Sequence, residues 1–155
     1  IATRTGVPAD TSLEAIIAAA KHLGARRITA ATRWHEDIND RLSAYLMDAG
    51  LEPVGISSSG RSMEENAGLD DETGMKLATD LGREALERAS SAEALMMPGS
   101  RWITLAAVRE LEAEFNVPVL TGHSAGLWAA LYDAGIQEAA PGNGKLMETL
   151  RKANG

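Results

Sequence analysis

The residues with the clearest chemical potential form a turn between a short apolar run and a segment with helical periodicity. The run is Ala94–Met97, and Pro98, Gly99, Ser100 and Arg101 follow it. Proline and glycine interrupt a strand, so the backbone N–H groups after them are available to open a helix. In an open parallel sheet such a turn lies at the carboxyl edge, where ligands bind, and a helix N-terminus favours an anion. The pattern predicts a carboxylate-binding turn at Gly99, Ser100 and Arg101, with an ordinary connecting loop as the alternative.

A serine motif occupies the next predicted junction between a strand and a helix. Residues 122–126, Gly-His-Ser-Ala-Gly, match the nucleophile elbow G-x-S-x-G of serine hydrolases. In an α/β-hydrolase the catalytic histidine follows the serine, but the three histidines here are His22, His35 and His123. A serine hydroxyl without a base is not activated. A serine hydrolase that uses Gly122, Ser124 and Gly126 is therefore a distant alternative to a small-residue helix start.

A third group of polar residues follows the first predicted strand. His35 and Glu36 suggest an acid/base pair, although a solvated loop with helix-capping carboxylates is the favoured interpretation. Trp34 is predicted to wall a pocket, because a large ring stands there at the end of a strand. No spacing of His, Asp or Glu indicates a metal, and no dinucleotide or nucleoside triphosphate motif is present. The residues thus predict no cofactor.

Composition narrows the class of protein further. A chain of 155 residues that is 45% hydrophobic and 24% charged is typical of one globular domain. The net charge of −7 argues against nucleic acid as a partner. No apolar run approaches the ~20 residues that span a bilayer, so no membrane partner is predicted and a cytoplasmic location is the default expectation. Cysteine is absent, which excludes disulfides and thiolate nucleophiles within these residues.

Strand and helix patterns alternate regularly along the chain. Predicted strands cover residues 26–32, 52–57, 94–97 and 116–121, and predicted helices cover 13–23, 72–89, 103–115 and 124–134. A further helix ends near Ala49, and its core-facing residues are predicted to be Ile38, Leu42, Tyr45 and Leu46. This alternation predicts a Rossmann-like or flavodoxin-like α/β lobe. Its four-stranded parallel sheet has the order 2-1-3-4, with helices on both faces.

Several turns, taken in order, resemble the arylmalonate decarboxylase and maleate isomerase branch of the aspartate/glutamate racemase superfamily. The similar segments are residues 5–8, 30–39, 65–66, 97–105, 117–128 and 141–146. Their order and spacing over nearly the whole chain carry the resemblance. It implies two α/β lobes with the active site between them, and cysteine chemistry without metal or organic cofactor. Residues 1–155 are expected to form the second lobe plus the closing tail, with the N-terminal lobe absent before Ile1.

The resemblance also assigns roles to individual residues. Gly99 falls where the second-lobe cysteine would stand, so any thiol must come from the other lobe. Trp34 replaces a tyrosine that contacts substrate, and Asn66 stands where isomerases use an amide to bind a carboxylate. Asn39 is counted with the substrate-binding residues. His123 and Ser124 are expected at the floor of the cleft.

Together these features predict a cofactor-independent isomerase, decarboxylase or racemase that acts on a small mono- or dicarboxylate. The N–H groups of Gly99, Ser100 and Arg101 would stabilise carboxylate or enediolate charge. A non-catalytic, carboxylate-binding member of the family is the leading alternative. Expected partners are the carboxylate and the missing lobe, and association into a homo-oligomer stays open.

Overall fold

A parallel sheet forms the centre of the structure. The computed structural model describes residues 4, 6, 9–99, 102–136, 138 and 141–150. Its strands are β1 (Arg27–Thr32), β2 (Glu52–Ser58), β3 (Ala94–Met97) and β4 (Val119–Thr121). Neighbouring strands pair in parallel in the order β2-β1-β3-β4. The predicted sheet and strand order are confirmed.

Helices connect the strands and close the lobe. They are α1 (Ser12–His22), α2 (Glu36–Asp48), α3 (Met63–Ala67), α4 (Asp71–Arg88), α5 (Leu105–Phe115), α6 (Gly122–Asp133) and α7 (Lys145–Glu148). Of these, α3 lies inside the polar segment 58–71, where the sequence analysis predicted no helix. No helix among the described residues is long and apolar enough to cross a membrane.

The two faces of the sheet bury two separate apolar clusters. Successive residues of β3 alternate between them, because side chains of a strand point to opposite faces. Met96 packs with α1, α6 and α7, whereas Leu95 and Met97 pack with α4 and α5. All the residues of β3 are buried, as expected for a central strand covered by helices on both sides.

The edge of the sheet accommodates a proline and differs from one expectation. Pro53 lies in β2, an edge strand, where a missing backbone donor is tolerated. Ile38 and Tyr45 of α2 were predicted to face the core, but they are 42% and 41% exposed. Only a narrow stripe of α2, which includes Leu42 and Leu46, is buried, because this helix packs at the margin of the sheet beside β2.

A close contact between helix and sheet supplies the first prediction. A methyl group on Gly82 of α4 would overlap the side chain of Leu111 and lie 3.2 Å from Leu95 Cδ2, and both leucines are fully buried. Gly74, on the same helix, has no atom within 4 Å of that position. We expect Gly82→Ala to lower the free energy of unfolding by about 1–3 kcal/mol through overpacking. Gly74→Ala should raise it by up to about 1 kcal/mol through helix propensity.

Urea unfolding of the full-length protein measures both changes. The glycine-to-alanine substitution is the same in each variant, so Gly74→Ala is the control for helix propensity. A Gly82→Ala variant as stable as Gly74→Ala would show that α4 does not pack on α5 and β3 in this way.

Candidate active site

A cavity of about 530 Å³ lies where β1 and β3 end. Trp34, from the loop after β1, and Gly99, from the turn after β3, both line it. Asn66 reaches the same cavity from α3. Because β1 and β3 are parallel neighbours, their following loops leave the sheet at one edge. The fold therefore brings together three of the residues that the sequence analysis selected.

Hydrogen bonds to main-chain and side-chain groups hold the loop that carries Trp34. The Thr32 hydroxyl, buried at the end of β1, donates to Asn39 Oδ1 over 2.7 Å. Asn39 Nδ2 in turn donates to the Trp34 carbonyl over 3.2 Å, and the Ser58 hydroxyl donates to the same carbonyl. Both polar ends of the Asn39 side chain are thus used within the protein. Asn39 is 8% exposed and lies outside the cavity lining, so in this structure it positions Trp34.

The polar residues after Trp34 separate into two groups. The His35 carbonyl accepts N–H bonds from Ile38 and Asn39 at the start of α2, while the His35 side chain is exposed and lines the cavity. Glu36 and Asp37 occupy the first turn of α2, where the helix dipole favours negative charge. The two carboxylates fit the helix-start interpretation, and His35 adds an imidazole to the cavity.

Asn66 presents its amide differently from the sequence expectation. Its Nδ2 donates to the carbonyls of Ser62 and Arg61, over 2.9 and 3.3 Å. Its Oδ1 is buried and has no hydrogen-bond partner among the described residues. Its donors therefore hold α3 in place, and a carboxylate ligand would have to replace one of these bonds. The α3 start is closed by reciprocal bonds, with Glu65 accepting from the Ser62 N–H over 2.7 Å.

The turn after β3 is shaped by glycine. Gly99 has φ of +114°, a conformation that L side chains rarely adopt, and a Cβ there would meet no atom within 4 Å. Its neighbours Ser100 and Arg101, both predicted to bind the carboxylate, lie outside the described residues. The turn at Gly99 therefore leaves open space beside the backbone.

The helix after this turn begins later than predicted. The sequence placed its start near Ile103, but α5 starts at Leu105, and the Thr104 side chain makes no capping bond. Trp102 is only 2% exposed and packs in the apolar cluster beneath α4 and α5. Because the Trp102 ring is placed in the core, residues 102–104 are not helical and the helix begins only after them. The helix N-terminus is therefore farther from Gly99 than the sequence indicated.

The serine motif lies beside the turn and not on the cavity lining. Ser124 Oγ accepts from the Thr121 N–H over 3.1 Å, and Thr121 Oγ1 accepts from the Ser124 N–H over 3.0 Å. Ser124 is 5% exposed and takes part in capping α6, while His123 is exposed. Neither residue lines the cavity described here. Their place at the floor of the cleft between two lobes stays a prediction. Gly122, the first residue of the motif, lies close to the turn after β3, since a Cβ there would be 3.6 Å from the Gly99 carbonyl oxygen.

Sequence reasoning missed the two arginines of the cavity and their contact with Trp102. Arg33 Cζ lies 5.3 Å from the centroid of the Trp102 ring, and Arg61 lines the same cavity. The position of Arg33 directly after a strand could have marked it as a site residue. Its contact with Trp102 could not be predicted, because the two residues are far apart in the sequence. Among the described residues, no three His, Asp or Glu side chains are grouped as metal ligands.

The fold is an open parallel α/β sheet with a cavity at its carboxyl edge, the edge at which proteins of this fold class bind ligands. The chain belongs to the arylmalonate decarboxylase family, whose sequence profile matches residues 1–147. It is 34% identical over 146 residues to arylmalonate decarboxylase from Bordetella bronchiseptica, covering 93% of this chain and 59% of that protein. The resemblance that the sequence motifs indicated is confirmed.

Solved structures agree with this assignment. A crystal structure of arylmalonate decarboxylase superposes with a TM-score of 0.81 and 34% identity, covering 95% of this chain and 64% of that one. A maleate cis-trans isomerase variant from Nocardia farcinica, with a covalently bound succinylcysteine intermediate, gives a TM-score of 0.74 and 25% identity. That comparison covers 88% of this chain and 54% of the isomerase. The chain spans about three fifths of the length of the decarboxylases it matches.

The bonds of Asn39 supply a second prediction. Asn39→Ala removes the acceptor of the Thr32 hydroxyl and a donor to the Trp34 carbonyl. Because these groups are buried or half-buried, we expect the free energy of unfolding to fall by about 1–3 kcal/mol. Urea unfolding of the full-length protein measures it, with the exposed neighbour Asp40→Ala as control. Equal stability of the two variants would contradict the positioning role.

The serine motif supplies a third prediction. We expect a fluorophosphonate probe to leave Ser124 unlabelled, since the hydroxyl is enclosed at the start of α6 and lacks a base. Ser124→Ala should lower the free energy of unfolding by about 0.5–1.5 kcal/mol, because the buried Thr121 N–H loses its hydrogen-bond acceptor. The exposed Ser90→Ala is the matched control. Labelling of the parent that disappears in Ser124→Ala would establish a nucleophilic serine instead.

Proposed function

We propose that this lobe binds a small mono- or dicarboxylate in a cofactor-independent decarboxylase or isomerase. The observation that carries the proposal is the cavity at the carboxyl edge of the sheet, in a chain of the arylmalonate decarboxylase family. Gly99, Trp34 and Asn66 converge on it from three segments. Decarboxylation, isomerisation and racemisation share one need, which is stabilisation of charge delocalised onto a carboxylate.

The turn at Gly99 is the proposed carboxylate cradle. Loss of CO2 from a malonate, or of a proton beside a carboxylate, leaves electron density that spreads onto the remaining carboxylate as an enediolate. Main-chain N–H groups of Gly99, Ser100 and Arg101 would donate to those oxygens, and such preorganised donors stabilise the transition state more than the substrate. The open space at Gly99 lets the ligand approach the backbone closely. Trp34 supplies an apolar wall that keeps water away and strengthens the donors.

The proton or nucleophile in this proposal comes from outside the 155 residues. They contain no cysteine, and Gly99 stands where the resemblance places the second-lobe thiol. We propose that residues 1–155 form the second of two lobes and that the facing lobe supplies the thiol. The lack of a thiol at Gly99 equally favours a family member that only binds a carboxylate, which is the second candidate function.

Calorimetric titration of the full-length protein with maleate and phenylmalonate tests the cradle. Each charge-assisted N–H bond shielded from water is worth about 1.5–3 kcal/mol, so a few of them support affinity between millimolar and micromolar. We expect Arg101→Ala to weaken binding by roughly tenfold, the equivalent of about 1.4 kcal/mol. Ser100→Pro should weaken it further, because it deletes an N–H and changes the turn.

Arg109→Ala, which removes an exposed arginine outside the cavity, is the control for net charge. Release of CO2 from phenylmalonate, or conversion of maleate to fumarate, by protein treated with a chelator would identify the enzyme. Binding without turnover would identify the carboxylate-binding protein. Unchanged binding in Arg101→Ala and Ser100→Pro would place the cradle elsewhere.

A further inference from the structure

Two arginines line the cavity in addition to the proposed cradle. Arg33 directly follows β1 and is half-buried, and Arg61 precedes α3 and is exposed. They come from different segments of the chain, yet both belong to the cavity that Gly99 lines. The proposed cradle uses main-chain N–H groups of other residues, so it does not account for the presence of two arginines in this cavity.

Arg33 is held by an aromatic ring. Its Cζ lies 5.3 Å from the centroid of Trp102, and that ring is 2% exposed within the core. A guanidinium that stacks on an indole uses its planar face, while its N–H donors lie at the edges of the plane. The buried ring therefore limits where the Arg33 guanidinium can lie. Preorganisation of this kind lowers the entropic cost of binding an anion.

The acidic residues nearest the arginines are largely committed to helix starts. Asp70 accepts from the Thr73 N–H over 2.8 Å and from the Thr73 hydroxyl over 2.9 Å, and these bonds hold the pKa of Asp70 below its usual value. Glu65 accepts from the Ser62 N–H, which likewise lowers the pKa of Glu65. Asp71 lines the cavity but is exposed in the first turn of α4. Among the described residues, no carboxylate lies within ion-pair distance of the Arg61 guanidinium.

We propose that Arg33 and Arg61 form a second anion subsite, which binds a distal carboxylate of the same substrate. This inference rests on the proposed function, because the first carboxylate is the one held at the Gly99 turn. The substrate class is then a carboxylate with an apolar spacer that packs on Trp34 and a second carboxylate at its far end. A cavity of about 530 Å³ has room for a ligand of that size. Guanidinium groups suit this role, since they match the geometry of a carboxylate.

Binding of matched aromatic acids to the full-length protein tests the subsite. The probes are phenylacetate, the 3- and 4-carboxy derivatives of phenylacetate, and the corresponding carbamoyl derivatives, which have the same shape without the charge. We expect the better carboxy isomer to bind five- to twentyfold more tightly than its carbamoyl counterpart. This preference should fall as salt is raised, because the subsite is partly exposed.

Variants then assign the preference to the arginines. Arg61→Gln and Arg33→Gln should each reduce the carboxy-to-carbamoyl ratio at least threefold and leave the affinity for phenylacetate within twofold of the parent. Arg61→Lys should retain part of the ratio, and Arg109→Gln should retain all of it. Trp102→Phe keeps an aromatic ring beneath the Arg33 guanidinium. It should therefore preserve the carboxy-to-carbamoyl ratio better than Arg33→Gln does.

The outcomes separate this inference from the function on which it rests. If phenylacetate binds and the carboxy and carbamoyl derivatives bind equally, the subsite is wrong and the carboxylate cradle stands. If the ratio survives in both arginine variants, the distal charge is bound elsewhere and the arginines contact another part of the protein. If none of the probes binds, the cradle and the subsite are both overturned.

Discussion

The site depends on the parallel pairing of β1 with β3. Because these strands are neighbours and run in the same direction, the chain after Thr32 and the chain after Met97 leave the sheet at one edge. That geometry brings Trp34 and Gly99, which are far apart in the sequence, to one cavity. The helices that cover both faces bury the strands and leave this edge as the place where loops can meet a ligand.

Different physical means fix the two loops at the edge. The loop after β1 is held by hydrogen bonds, in which Asn39 links the Thr32 hydroxyl to the Trp34 carbonyl. The turn after β3 is defined by the positive φ of Gly99 and by the burial of Trp102. The same Trp102 ring carries the guanidinium of Arg33 on its face. Core packing on one side of the sheet thereby orders a charged group of the cavity.

In the proposed function, this lobe recognises a carboxylate and the reactive thiol comes from a facing lobe. The arylmalonate decarboxylase family supplies the context, and the chain covers about three fifths of its decarboxylase relatives. In that proposal, the absence of a side chain at Gly99 lets the ligand approach the backbone. Arg33 and Arg61 add positive charge to the cavity, which the proposed second subsite would use.

The sequence by itself determined the sheet, its strand order, the connecting helices and the family, because periodicity, turn residues and motif order are local properties of the chain. It also selected Trp34 and Gly99, since residues that follow strands in a parallel sheet share one edge, and the family resemblance added Asn66. Even α3 had a readable signal, as Ser62 and Glu65 form the Ser-x-x-Glu pattern of a capping box.

Only the tertiary structure decided the exposure of Ile38, the commitment of the Asn39 and Asn66 amides, the later start of α5 and the stacking of Arg33 on Trp102. Each depends on contacts or available space between segments that folding brings together, and the local pattern of residue types does not encode them.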